Sequence, residues 1–317
     1  MGCRVGFWPG AMAFLAIAAT NEILLASDGL AAAERSYPLE ILTIGCVVLS
    51  LLLMVVLWKW RGWRPARLDG RTRPTPWRPS AMASGLAFVT CLFFAPILVE
   101  AGRSLRPENE PMLMGLGIDI WAGSVAGLLL AIPIGVLAIN RPRPTDAAPR
   151  TAVGTIVPLG VLAFLLVFPF VQSMSFLGGL VYQLVSGESP DLLGHQTLQL
   201  LNESPRDVGW WLIVVGVVVI VPWQEEVVFR GMLQQTFRKA GWDAAPAIVV
   251  TSSIFTLLHI TAITSSSLFS IIPSLFVLSI GLGVLRERTG RTSVCVITHG
   301  VFNLVNVLLM LGIAPTG

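Results

Sequence analysis

Three groups of polar residues interrupt apolar stretches in the last third of the chain. Glu225 and Glu226 follow VVVIVPWQ, His259 ends SSIFTLLH, and His299 and Asn303 lie in CVITHGVFN. A charged side chain inside hydrocarbon costs about 2.5–3.5 kcal/mol, so ionisable residues in such stretches indicate function. A carboxylate between apolar walls suits general-base work on water, and imidazole and carboxamide N–H groups can stabilise an oxyanion. These residue types predict a hydrolase that cleaves an amide bond.

The spacing within these groups indicates which side chains face each other. Residues four apart share one side of a helix, and three pairs have this spacing: Glu226 and Arg230, Phe255 and His259, His299 and Asn303. We expect Arg230 to neutralise Glu226, which leaves Glu225, about 100° around the helix, to act as the base. Phe255 is expected to form an aromatic wall beside His259.

Taken singly, each group also has an ordinary structural interpretation. An EExxxR sequence is often a solvated helix face, and a lone histidine in an apolar stretch is often a hydrogen-bonded core residue. Ser252 and Ser253 lie two turns before His259, but no base accompanies them, so attack by water is favoured over an acyl-enzyme. The remaining histidine, His195, is expected to be an ordinary surface residue in an outer loop.

The composition requires a membrane environment for these groups. Of 317 residues, 54% are hydrophobic and only 12% are charged, with a mean hydropathy of +0.77. Soluble domains carry about 25% charged residues, so a soluble globular enzyme is excluded. The four cysteines are far apart and contain no CxxC pair, which excludes a disulfide framework or a zinc-knuckle pattern.

The apolar runs predict an all-α, polytopic transmembrane bundle of eight or nine spans, an integral multi-pass protein that lies in the cytoplasmic membrane if the source is bacterial. A helix needs about 20 apolar residues to cross a bilayer. Nine runs approach or exceed this length: 9–27, 39–58, 82–100, 113–139, 153–185, 208–229, 245–263, 268–285 and 292–313. The fifth is too long for a straight crossing, so it is expected to tilt or to end in an interfacial helix around 176–185.

The distribution of positive charge predicts a cytoplasmic N-terminus. With that orientation, all but four of the 21 lysines and arginines fall on the cytoplasmic side. The loop 59–80 alternates arginine with tryptophan, a pattern that nucleic-acid-binding segments also show. Because it directly follows a span, we expect it to contact anionic lipid headgroups and not nucleic acid.

The motifs EEVVFR (225–230), FTLLH (255–259) and HGVFN (299–303) resemble EExxxR, FxxxH and HxxxN of the CPBP intramembrane endopeptidase family. That family includes CAAX prenyl endopeptidases and bacterial proteins of bacteriocin processing or immunity. The resemblance covers about 205–315, a catalytic membrane core, and leaves 1–200 as a transmembrane extension of unknown role.

The resemblance also implies roles for the motif residues. Glu225 and His259 would activate the water, and His299 and Asn303 would stabilise the oxyanion. The supporting residues would be Glu226, Arg230 and Phe255. The active site would open toward the cytosol and the bilayer.

The cofactor and the activity each have an alternative. Glu225, His259 and His299 are the ligand types of some catalytic zinc sites, but HExxH is absent and no partner for either imidazole is visible in the sequence. A metal-independent mechanism is therefore favoured, with zinc as the alternative. The expected partner is a membrane-associated protein or peptide, such as a CAAX-like or membrane-tethered tail. A proton-coupled carrier and an inactive peptide-binding scaffold are the rival interpretations.

Overall fold

The computed structural model describes residues 44–56, 79–107, 110–139, 153–188 and 194–313. Within these ranges the chain is helical and contains no β-strand, which confirms the predicted fold class. The helices are α1 (Ile44–Val56), α2 (Pro79–Arg103), α3 (Met112–Ile139), α4 (Ile156–Ser186), α5 (Gln196–Glu203), α6 (Val208–Lys239), α7 (Ala244–His259), α8 (Leu268–Thr289) and α9 (Thr292–Ile313).

In the described part of the chain, seven helices are long and apolar enough to cross a membrane: α2, α3, α4, α6, α7, α8 and α9. The protein is therefore an integral multi-pass membrane protein. These seven correspond to the predicted spans from 82 onward. The predicted span 9–27 and most of the basic loop 59–80 lie outside the described residues.

Two helices differ from the predicted spans. The fifth predicted run is a single 31-residue helix, α4, without a separate interfacial segment. At 1.5 Å per residue it is about 46 Å long, more than the roughly 30 Å hydrocarbon core, so it must tilt or protrude. Helix α6 continues ten residues beyond the predicted end at 229. This extension includes the polar sequence QQTFRK, which is also helical.

Helix α6 contains two wider, π-helical segments, Gly216–Ile220 and Val227–Leu233, on either side of the two glutamates. In the first segment the Val221 N–H donates to the Gly216 carbonyl, five residues back. In that register the next donor would be Pro222, which has no N–H. The carbonyl of Val217 is thereby left without an intrahelical partner.

One apolar core joins the later helices to the earlier ones. Its buried aromatic residues come from five helices: Phe88, Phe164, Phe229, Phe255 and Phe302. A second cluster, with Trp210 at its centre, packs α5 against α3, α6 and α9. Helices α4 and α8 approach closely at Gly178, where a Cβ atom would lie 1.8 Å from the Phe269 carbonyl oxygen.

Charged side chains collect at the two ends of the bundle. At one end Asp119 accepts hydrogen bonds from Arg103 and Arg106. At the other, Glu287 lies 3.4 Å from Arg238, and Lys239 of α6 donates to Ser84 of α2 at 3.1 Å.

Candidate active site

Glu225 and Glu226 lie at the middle of α6, and both side chains point into the bundle. Glu225 is 2% exposed and Glu226 is fully buried. Burying two carboxylates is unfavourable unless each finds a partner. Their surroundings differ in this respect.

Glu226 is paired through one oxygen, whereas its other oxygen, Oε2, accepts no hydrogen bond from the described residues. Its Oε1 atom accepts from Arg230 Nη1 at 2.9 Å and from His299 Nδ1 at 3.0 Å. Arg230 also donates through Nη2 to the carbonyl and hydroxyl oxygens of Ser279, at 3.2 and 2.7 Å. These contacts tie α6 to α8 and α9 and pair the buried guanidinium with Glu226.

Glu225 faces the imidazoles of two other helices. Its Oε1 atom lies 3.7 Å from His259 Nε2, and its Oε2 atom lies 3.8 Å from His299 Nε2. Neither carboxylate oxygen accepts a hydrogen bond from any described residue. The structure thus brings Glu225, His259 and His299, which the sequence separates by more than 70 residues, to one place.

The hydrogen bonds of the two histidines assign their ring protons. The His259 ring lies with Nδ1 2.6 Å from the Phe255 carbonyl oxygen, an acceptor, so Nδ1 carries the proton. Nδ1 of His299 donates in the same way to Glu226. In both rings it is therefore Nε2 that faces Glu225.

Phe255 packs between these charged and polar groups. Its ring is completely buried and lies 4.6 Å from the His259 ring and 6.4 Å from the His299 ring, between centroids. The Arg230 guanidinium carbon lies 4.7 Å from the same ring, a cation–π distance. The aromatic side chain is thus an apolar wall that fixes both imidazoles and the guanidinium.

Asn303 is held against α6, one turn along α9 from His299. Its Nδ2 atom donates to the Val217 carbonyl at 2.9 Å, the carbonyl left without a partner by Pro222. Gly300 permits this approach, because a Cβ atom there would lie 2.8 Å from the Val218 carbonyl. The second N–H of the carboxamide and its oxygen, which accepts no hydrogen bond from the described residues, are left for other contacts.

Comparison with known families assigns this part of the chain. Residues 207–305 match the model of the Rce1-like type II CAAX prenyl endopeptidases. This segment belongs to that family. It runs from α6 into α9 and contains all seven site residues expected from the motifs. Neither the curated proteins nor the solved structures give a match to this chain.

The CAAX endopeptidase segment and the seven apolar helices together identify the protein as an intramembrane endopeptidase in general terms. Its buried carboxylate, two imidazoles and carboxamide can supply a base and hydrogen-bond donors. The choice between a metal-free and a metal-dependent mechanism is a separate matter.

One observation favours a zinc ion at this site, and another argues against it. The Phe255 carbonyl and the Glu226 carboxylate orient His259 and His299 through Nδ1, as such groups orient zinc-bound histidines, although the sequence revealed no such partners. However, within the described ranges no three His, Cys, Asp or Glu side chains are grouped so that they could hold a metal ion.

His195 differs from the sequence expectation. It was expected at the surface, and this is wrong: the side chain is completely buried just before α5. Its Nδ1 atom accepts a hydrogen bond from the Thr197 N–H at 3.2 Å, and burial together with the neighbouring His259 lowers its pKa to about 3. The scarcity of histidine, only three in the chain, was the signal that could have drawn attention to it.

Proposed function

We propose that this protein hydrolyses a peptide bond of a membrane-tethered substrate with a water molecule activated by Glu225 and His259. The observation that carries the proposal is the position of Glu225. Its two oxygens accept no hydrogen bond from the described residues, yet they lie 3.7 and 3.8 Å from the Nε2 atoms of two histidines. A structural carboxylate would be paired, as Glu226 is.

The first step needs a base that removes one proton of the water and an acceptor for a hydrogen bond from the other. The 3.7 Å separation of Glu225 Oε1 and His259 Nε2 exceeds a direct hydrogen bond and is a distance that one water can bridge. Because His259 Nδ1 already carries a proton, Nε2 accepts from this water. Glu225 takes the other proton as the water oxygen attacks the carbonyl carbon.

The second step needs donors for the oxyanion. His299 can donate from Nε2 only as an imidazolium, because Nδ1–H is bonded to Glu226. The imidazolium also balances charge, since two carboxylates otherwise face the single guanidinium of Arg230. The second N–H of Asn303 supplies the other donor.

The third step returns the proton. The tetrahedral intermediate collapses, the C–N bond breaks, and the proton held by Glu225 passes to the leaving amine nitrogen. The second water proton, which is now on the new carboxylic acid, passes through His259 Nε2 to the amine. The products are a carboxylate and an ammonium group, and Glu225 is again ionised. No acyl-enzyme forms, so no serine nucleophile is required.

We propose that the site faces the cytoplasmic half of the bilayer. His299 is seven residues, about 10 Å, from the start of α9. The neighbouring helix ends are basic, with Arg238, Lys239, Arg286 and Arg288 in the last turns of α6 and α8. Positive charge marks the cytoplasmic side, so a peptide tail anchored in that leaflet is the substrate class that we favour.

The test is cleavage of a quenched fluorescent peptide, prenylated and unprenylated, by the detergent-purified protein. We expect Glu225→Gln to lower kcat by about 10²–10⁴-fold, the usual contribution of a general base, without lowering the thermal unfolding temperature. Cleavage that survives in Glu225→Gln would refute the assignment of the base. Cleavage of neither peptide by the wild-type protein would favour the carrier or scaffold interpretation.

Two controls accompany this assay. Ser252→Ala, a change at a buried hydroxyl on α7, is expected to retain activity, and its loss would point to a serine nucleophile. A zinc chelator is expected to have no effect. Inhibition by the chelator that zinc reverses would instead make Glu225, His259 and His299 metal ligands.

A further inference from the structure

His195 is anchored at the end of α7 that carries His259. Its backbone forms an isolated antiparallel bridge with Ile263, four residues beyond His259. Next to it, the Gly194 carbonyl accepts from the Thr264 N–H at 3.0 Å. The segment before α5 is therefore joined to the turn that follows the catalytic helix, although it precedes the family-matched residues 207–305.

The packing around this segment leaves the imidazole little freedom. A Cβ atom on Gly194 would lie 2.3 Å from the Ser267 side chain, so the chain passes tightly over the start of α8. On the following helix, Leu198 and Leu201 are each 2% exposed and pack in the core cluster around Trp210. His195 is thus held by backbone contacts on one side and by apolar packing on the other.

The chemistry of the ring follows from its one hydrogen bond. Nδ1 accepts from the Thr197 N–H, so the ring proton is on Nε2. Burial together with the neighbouring His259 lowers the pKa of His195 to about 3, so the ring is neutral at physiological pH. Nε2 is buried, and no described residue accepts a hydrogen bond from it. Buried donors almost always have an acceptor, so this one needs an acceptor that the described residues do not supply.

We propose that the Nε2–H group of His195 binds a backbone carbonyl oxygen of the substrate peptide beside His259. A carbonyl fits better than a carboxylate, because the donor is neutral and the Glu225 carboxylate is also in contact with His259. His195 is then a binding residue of the site, contributed from outside the family-matched segment. This inference rests on the proposed endopeptidase function.

The test compares substrate binding with turnover in His195→Asn. Asparagine retains a helix-capping oxygen for the Thr197 N–H but is too short to place a donor at the Nε2 position. With a peptide that the wild-type protein cleaves, we expect KM to rise about tenfold and kcat to change less than twofold, as for loss of one hydrogen bond to the substrate. Leu198→Ala, which loosens the same helix but keeps the imidazole, is expected to lower the unfolding temperature without raising KM.

A binding measurement separates this inference from the proposed mechanism. The Kd of the peptide is compared between Glu225→Gln and the double variant Glu225→Gln/His195→Asn, in both of which turnover is expected to be slow compared with binding. A tenfold weaker Kd in the double variant supports the inference. A series of peptides, each with one thioamide in place of an amide, identifies the carbonyl. At that position the thioamide, a weaker hydrogen-bond acceptor, weakens binding when His195 is present but not in His195→Asn. If His195→Asn leaves both the Kd and the KM unchanged, the inference is overturned and a buried water is the acceptor. Full cleavage by Glu225→Gln would overturn the proposed mechanism instead.

Discussion

At the scale of single residues, two adjacent glutamates have opposite environments. Glu226 is bonded to Arg230 and His299, whereas Glu225 is bonded to no described donor and lies against two Nε2 atoms. The difference arises because neighbouring residues on a helix point about 100° apart, so only one can meet the guanidinium of Arg230. In the proposed mechanism, the paired Glu226 supports the site and Glu225 transfers the proton.

Arg230→Ala is expected to destabilise the protein strongly. It removes the guanidinium that pairs with Glu226 in a site where both side chains are at most 1% exposed. Removing one partner of a buried ion pair typically costs 3–5 kcal/mol, since the other charge remains buried. The measurement is the free energy or midpoint of unfolding in detergent micelles.

The matched control is Ser279→Ala, which removes one of the hydrogen bonds to Arg230 but leaves the ion pair. It is expected to cost about 1.5–3 kcal/mol, as for a hydrogen bond to a charged group. The double variant Glu226→Gln/Arg230→Met is expected to unfold at a higher temperature than Arg230→Ala. Equal stability of Arg230→Ala and Ser279→Ala would show that the ion pair is unimportant.

At the scale of elements, the widened first segment of α6 places Asn303. The segment and Pro222 leave the Val217 carbonyl without a helical donor, and Asn303 of α9 supplies one at 2.9 Å. Gly300 allows the two helices to come this close. A proline, which usually weakens a helix, here creates an attachment point for a side chain of another helix.

Pro222→Ala is expected to lower kcat by about ten- to a hundredfold with little change in KM. The new N–H can bond the Val217 carbonyl, so Asn303, which we propose as an oxyanion donor, loses its anchor. Small displacements of a group in that role have effects of this size. The unfolding temperature is expected to stay the same or rise, because a proline is removed from a helix interior. The measurement is peptide cleavage together with thermal unfolding.

A double-variant comparison distinguishes this role from general damage to the helix. In an Asn303→Ala background, Pro222→Ala is expected to have no further effect on kcat. Pro273→Ala on α8, another proline inside a membrane helix, is expected to leave kcat unchanged. Additive effects of Pro222→Ala and Asn303→Ala would contradict the positioning role.

At the scale of the whole molecule, helices outside the family-matched segment contribute to its apolar core. Phe88 of α2 lies 5.7 Å from Phe229 of α6, between ring centroids, and Phe164 of α4 joins the same cluster. Helix α4 also meets α8 at Gly178, without space for a side chain. The earlier helices thus support α8, on which Ser279 holds Arg230.

Gly178→Ala is expected to destabilise the protein by about 1–3 kcal/mol or more, as overpacking of a tight core does. The added methyl group would lie 1.8 Å from the Phe269 carbonyl oxygen, so the two helices must separate. Gly154→Ala is the control, since no atom lies within 4 Å of a Cβ atom there. Unfolding temperatures that fall equally in both variants would argue against close packing of α4 and α8.

Much of this architecture could be predicted from the sequence. Long apolar runs with few charges have no stable place outside a bilayer, so they define the spans from 82 to 313 without any tertiary information. Ionisable residues inside those runs are costly, so they mark Glu225, His259 and His299 as candidates. The family match to 207–305 bears out the resemblance that these motifs suggested.

The contacts that shape the site depended on tertiary structure. The contact of the first wide segment of α6 could not be predicted, because Pro222 by itself does not show which donor the Val217 carbonyl receives. That donor is Asn303 of α9. His195 looked like a loop residue and is buried because a loop that begins more than 60 residues later pairs with it. Local sequence thus determined which segments enter the bilayer, since hydrophobicity acts residue by residue. Packing between distant helices decided which polar atoms meet, because hydrogen bonds require two partners at about 3 Å.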